Sequence, residues 1–118
     1  MQYMILNYTP PSDYADADAV ATAAEGEVWG AYTRALIEAG VFVGGNALHP
    51  AHTATTLRVR GEARDIQDGP YAASKEQFGG YYIVEVPDLD TALHWAALNP
   101  AASSGAVEVR PVVMRGAT

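Results

Sequence analysis

Asp68-Gly69-Pro70-Tyr71, then Lys75-Glu76-Gln77, then Gly79-Gly80-Tyr81-Tyr82-Ile83-Val84-Glu85-Val86: this stretch decides the fold. Its first four residues spell a turn, because glycine admits positive φ and proline fixes its own. From Gly80 to Val86 the pattern is a strand, with Tyr82, Val84 and Val86 facing one way and Tyr81, Ile83 and Glu85 the other. It is the strongest strand pattern in the chain.

Outward from that strand the chain repeats the logic. Gln2 to Tyr8 predicts a central strand, with Tyr3 and Ile5 on one face and Met4, Leu6 and Tyr8 on the other, ended by Pro10-Pro11. A helix is expected from about Asp16 to Ala39, started by Asp13, Asp16 and Asp18 and stopped at Gly40. Its buried stripe is read as Val28, Tyr32, Ala35, Leu36 and Ala39. Val41 to Leu48 is a short strand in which Gly44-Gly45 signals a bulge or a close backbone approach. Thr55 to Arg60 and Ala63 to Gln67 form a hairpin about Gly61-Glu62, with Leu57 and Val59 expected inward. Asp88 or Asp90 caps a second helix, Leu89 to Leu98, with Leu89, Leu93 and Ala96 or Ala97 inward, and Val107 to Val113 closes the fold.

That order, apart from the hairpin, is the split βαβ or ferredoxin-like α+β plan: an antiparallel sheet with both helices on one face, here with an extra hairpin strand. The opposite face carries Tyr, Val and Ile. A large uncovered apolar face marks a partner surface, and a second copy is the simplest cover. A homodimer forming a dimeric α+β barrel is therefore expected.

The 118 residues make one domain, 1–118. No apolar run reaches the roughly 20 residues of a membrane span. Met1 leads directly into a strand pattern with no basic leader. With no cysteine, disulfides, thiol catalysis and cysteine metal sites are excluded. The expected location is the cytoplasm. Net charge is −7 and the bases are scattered, so neither nucleic acid nor an anionic membrane is an expected direct partner. No phosphate-cradling loop or nucleotide fingerprint is present, and no cofactor is expected.

Candidate chemistry centres on the opening stretch. Lys75 is the lone lysine among six arginines, and its compact ammonium suits a small anion. Asp68, Lys75 and Glu76 lie on one connection between strands, where convergence would ready one carboxyl to take a proton and keep the other ionised. Asp68 alone could equally be satisfied by backbone amides within its turn. His49 and His52 flank Pro50-Ala51 with no local acid, so no metal is expected; His49 could reach a pocket from its loop, with Asn46 nearby. His94 reads as a surface or packing residue. Trp29 sits beside the helix stripe, where it completes the core or lines a pocket. Three functions fit: a cofactor-free enzyme with Asp68, Glu76 and His49 as catalytic groups and Lys75, Tyr71, Asn46, Arg58 and Trp29 binding a small organic molecule; a ligand-binding or regulatory module using the same residues; or a structural dimer.

The run from Asp68 to Val86 carries a resemblance, together with Gly40-Val41, Ala54-Thr55-Thr56-Leu57-Arg58, Asp88-Leu89-Asp90 and Val107-Glu108-Val109-Arg110-Pro111. It resembles the YCII-related superfamily, and within it the branch named for an Asp-Gly-Pro-Phe motif, with Tyr71 here in place of the phenylalanine. The resemblance implies a ferredoxin-like dimeric barrel. It also implies a pocket in which a histidine–aspartate pair has been proposed to act, and in some relatives an association with sigma factors. Asp68 matches the acid; counting back from Gly40, the histidine's position falls at Trp29.

Overall fold

The computed structural model describes residues 1–10, 19–72 and 74–114, with the backbone alone for 19–25. Among the described residues six strands and two long helices follow the expected order, with a short 3₁₀ turn at Ala51–Thr53 and a short helix α3 added to it: β1 (Gln2–Thr9), α1 (Ala19–Glu38), β2 (Phe42–Ala47), β3 (Thr55–Arg60), β4 (Ala63–Asp68), β5 (Gln77–Glu85), α2 (Leu89–Ala97), α3 (Ala101–Ser104) and β6 (Ala106–Pro111). The main sheet runs β2-β5-β1-β6, antiparallel throughout. This is the ferredoxin-like α+β arrangement. The capping aspartates expected at Asp13, Asp16 and Asp18 lie outside the described residues.

β1 is the axis of the sheet. Its residues are alternately buried and half-buried, and register carries that alternation sideways: Ile5 stands opposite Tyr82 on one side and Val109 on the other. Tyr3, Ile5 and Val84 therefore share a face with Tyr32 and Leu36 of α1 and Ala92 and Ala96 of α2, and these form the core. Ile5, Leu36 and Val84 are fully enclosed, each worth about 1.5–3 kcal/mol in apolar burial. The opposite face presents Met4, Leu6, Tyr8, Phe78, Tyr81 and Ile83, all half-buried.

Local signals hold each element in place. Gly40 has φ 74°; its N–H reaches the Ile37 carbonyl at 3.0 Å and the Val41 N–H reaches that of Leu36 at 3.1 Å. That pair of bonds is a Schellman ending, which glycine makes without strain. Asp88 caps α2, accepting the Thr91 N–H at 2.8 Å, and its carboxyl is held below the ordinary value by the Thr91 hydroxyl and then by that N–H. The register of β2 against β5 shifts between Phe42 and Gly44, the bulge that Gly44-Gly45 announces.

Of the stripes expected on α1 and α2, Tyr32, Leu36 and Ala96 are buried and the rest are not. On α1, Tyr32 and Leu36 are buried, but Val28, Ala35 and Ala39 are exposed. On α2 the inner row is Ala92 and Ala96, while Leu89 and Leu93 stand about half exposed. Small residues let the helix approach the sheet closely, and the leucines lie beside the contact instead of inside it. The hairpin also departs from expectation: β3 and β4 form a two-stranded sheet of their own and pack substantially on no other element. Leu57, Val59 and Ile66 share one face of this arm at 50, 55 and 57 % exposure, so Leu57 and Val59 do not point into the core. Among the described residues, no helix is long and apolar enough to cross a membrane.

These placements set a contrast in stability. Leu36→Ala should cost about 2–5 kcal/mol, as for other buried leucines, whereas Leu93→Ala should stay within about 0.5 kcal/mol. Urea midpoints of the two variants measure the difference directly.

Candidate functional site

A cleft of about 670 Å³ lies between the middle of α1, from Gly26 to Thr33, and the β2–β5 side of the sheet. This volume suits a small organic ligand. Gly45, opposite Tyr82, and Gly79 line it, and Gly80, opposite Asn7 and Ala47, is buried next to Gly79, so backbone makes part of the floor. Neither Gly45 nor Gly80 can be replaced freely. A Cβ at Gly45 would come within 2.6 Å of the Tyr81 carbonyl oxygen, and one at Gly80 within 2.8 Å of that of Asn46.

The walls are aromatic. The rings of Trp29 and Tyr82 lie 9° from parallel with centroids 6.4 Å apart. Tyr82 in turn receives the edge of Tyr32 at 5.1 Å and meets Phe42 at 6.4 Å. Its hydroxyl hydrogen-bonds that of Thr33 at 2.8 Å, and Thr33 donates to the Trp29 carbonyl at 3.0 Å. Leu48 and Pro50 close the loop side. Burial raises the Tyr82 phenol above its ordinary value, the Thr33 hydroxyl opposing the shift. Burial also pushes Tyr32 up to about 12; the Asn99 amide opposes this and Tyr82 adds to it.

One polar side chain reaches the cleft from within the core. Asn7 lines it yet is only 5 % exposed. A relay fixes its amide: the Ala101 N–H donates to Asn99 Oδ1 at 2.9 Å, and Asn99 Nδ2 donates to Asn7 Oδ1 at 2.7 Å. With its oxygen so engaged, Asn7 is left with Nδ2, a donor, which has no partner among the described residues. Thr9, on the same strand, keeps a buried hydroxyl without a partner among them as well.

Of the residues singled out in the sequence, two line this cleft: Trp29, in its wall, and Asn46, whose Nδ2 donates to the Tyr81 hydroxyl at 2.9 Å. His49 is exposed between the wall residues Leu48 and Pro50. The remaining five lie elsewhere. Asp68 ends β4 opposite Thr55, exposed. Its turn is pinned by Gly69, whose N–H reaches the Ala54 carbonyl at 2.7 Å and whose carbonyl takes the Thr56 hydroxyl at 2.8 Å. Arg58 lies 5.2 Å over the ring of Tyr71, itself 77 % exposed. Lys75 is exposed and Glu76 half-buried, and among the described residues no ion pair joins Lys75 to Asp68 or Glu76. The expected gathering of these three is not formed within one chain. Sequence reasoning missed Asn7 and Asn99, which are buried and 92 positions apart. It flagged the cleft's floor only indirectly, as paired glycines.

Fold and cleft together define a ferredoxin-like domain with a ligand-sized hollow under its first helix. Its sequence matches the YCII-related domain over residues 1–114. It is also 37 % identical over 86 residues to a protein of Rhizobium meliloti (strain 1021), across 71 % of this chain and 69 % of that one; that relative is itself uncharacterized. The chain belongs to the YCII-related family.

The two phenols generate a pH prediction. Tyr32 binds its proton more tightly folded than unfolded, so its contribution to stability is complete below about pH 10 and drains away as pH climbs through about 12. Tyr82 acts with the same sign. Urea midpoints should fall across that window, and Tyr32→Phe should flatten the fall.

Proposed function

We propose that the protein binds a small organic molecule in the cleft beneath α1 and works as a homodimer. The observation that carries the reading is the composition of the cleft. Among the described residues that line it, none has a carboxylate, ammonium, guanidinium or imidazole group. Aromatic walls, a backbone floor and a few oriented polar atoms are what holding a ligand requires. General acid–base catalysis works best with a group that titrates near the operating pH, and Tyr82, the titratable side chain in the described lining, has its phenol raised above the ordinary value by burial. A binding or regulatory module is therefore favoured over the acid–base enzyme.

The enzyme reading keeps one supporting observation: His49 lies between two residues of the cleft wall. If it acts there, with Asp68 and Glu76 supplied by a neighbouring copy, turnover of a bound compound should be lost in His49→Gln.

The homodimer rests on two uncovered apolar surfaces, the mark of a partner surface: the Met4, Leu6, Tyr81 and Ile83 face of the sheet, and the Leu57, Val59 and Ile66 row of the arm. A two-stranded hairpin is marginal in water by itself, so the arm too gains from a second copy.

Two measurements test these readings. In a Trp95→Phe background, Trp29 fluorescence should respond saturably to members of a small-metabolite library that emerge from incubation chemically unchanged. A response preserved after Thr33 and Leu48 are enlarged to fill the cleft would refute the site. For the dimer, sedimentation velocity should give twice the chain mass, and Leu6→Glu should sediment as a folded monomer; a monomeric parent chain would rule the dimer out.

A further inference from the structure

The cleft's one deeply buried polar contact sets what it takes, and the inference rests on the cleft being the binding site. We propose that the ligand is a planar, uncharged molecule whose carbonyl-type acceptor is received by Asn7 Nδ2. Three independent features of the cleft specify those three properties.

The acceptor follows from the asparagine relay. Ala101 N–H holds Asn99 Oδ1, and Asn99 Nδ2 holds Asn7 Oδ1, so the amide of Asn7 cannot flip without facing two NH₂ groups toward each other. Asn99 is 2 % and Asn7 5 % exposed. Asn7 lines the cleft, so a ligand can supply an acceptor to this amide and gain a hydrogen bond there. Asn7 Nδ2 lies 3.5 Å from the point where a Cβ on Gly80 would sit.

Planarity follows from the wall and the floor. The Trp29 and Tyr82 rings are close to parallel, and the Thr33 hydrogen bond and the edges of Tyr32 and Phe42 hold Tyr82 in place. A flat conjugated ligand gains from stacking on such a surface, while bare backbone at Gly45 and Gly79 admits it close to the sheet.

Neutrality follows from what surrounds the donor. Lys75 and Arg58 are exposed and away from the lining. Arg34 places its guanidinium 3.5 Å from the point where a Cβ on the lining residue Gly30 would sit, without itself lining the cleft. The chain carries a net charge of −7. An anion at Asn7 would enter against that field and lose its hydration with no charged group of the described lining to meet it. A single amide donor suffices for a ketone, an amide or a ring nitrogen.

The full-length chain, labelled with nitrogen-15, is titrated with three matched fragments: acetophenone, ethylbenzene and benzoate. Acetophenone should bind at least about fivefold more tightly than ethylbenzene, the span expected when one hydrogen bond is made or missed. Acetophenone alone should shift the side-chain amide signal of Asn7, and benzoate should bind weakest. Asn7→Asp keeps an acceptor toward Asn99 and removes the donor, so it should abolish the preference for acetophenone. Equal affinity for acetophenone and ethylbenzene, or tightest binding of benzoate, overturns the inference and leaves the cleft as an apolar site. Failure of all three fragments to bind overturns the cleft itself. Should Asn7→Asp not fold, the fragment series on the parent chain still decides between these outcomes.

Discussion

The ring of Tyr82 is where the core and the cleft become one structure. It stands on β5 opposite Ile5 of β1 and Gly45 of β2, with Tyr32 against it from the helix and Trp29 alongside. Side chains at Gly45 and Gly80 on its face of the sheet would collide with the carbonyl oxygens of Tyr81 and Asn46 across the ladder. Because those positions carry none, Tyr82 is packed on its core side and available on the other. The same ring is held by the Thr33 hydroxyl, so the wall of the cleft is as fixed as the core behind it.

Much of the fold was legible because strands declare themselves by alternation. β1 and β5 show it over their lengths, and the faces assigned to Tyr3, Ile5, Val84 and Val86 are the buried ones. Gly40 and Asp88 mark helix ends through chemistry that acts over four or five residues, well within the reach of local reasoning. Helix faces were harder. In α2, alanine and leucine both repeat at helical spacing, and an apolar-stripe argument prefers the larger residue. The sheet instead takes Ala92 and Ala96, since close approach is a property of the pair of surfaces and not of either sequence segment. The arm was legible as a hairpin but not as a free one, because nothing in its own pattern says whether Leu57 and Ile66 meet the sheet.

The site was legible in proportion to how local its parts are. Trp29 and Asn46 could be singled out from their positions beside a stripe and after a glycine bulge. The relay from Ala101 through Asn99 to Asn7 could not, because a buried amide pair joining opposite ends of the chain leaves no spacing to read. The dense motif at Asp68 drew attention for its charges, yet its turn is tied to the start of β3 by Gly69 and Thr56. Within one chain its role is to anchor the arm. Trp29, where the resemblance places a histidine, puts a flat, largely apolar surface in the cleft wall.

The arm has a consequence for how this lineage can diversify. β3 and β4 pair only with each other, while the β2-β5-β1-β6 ladder is complete without them. Residues can thus be added or removed two at a time at the Gly61 tip without disturbing a single rung elsewhere, as is general for exposed loop tips. Length there is free to drift while the cleft beneath α1 is left as it is.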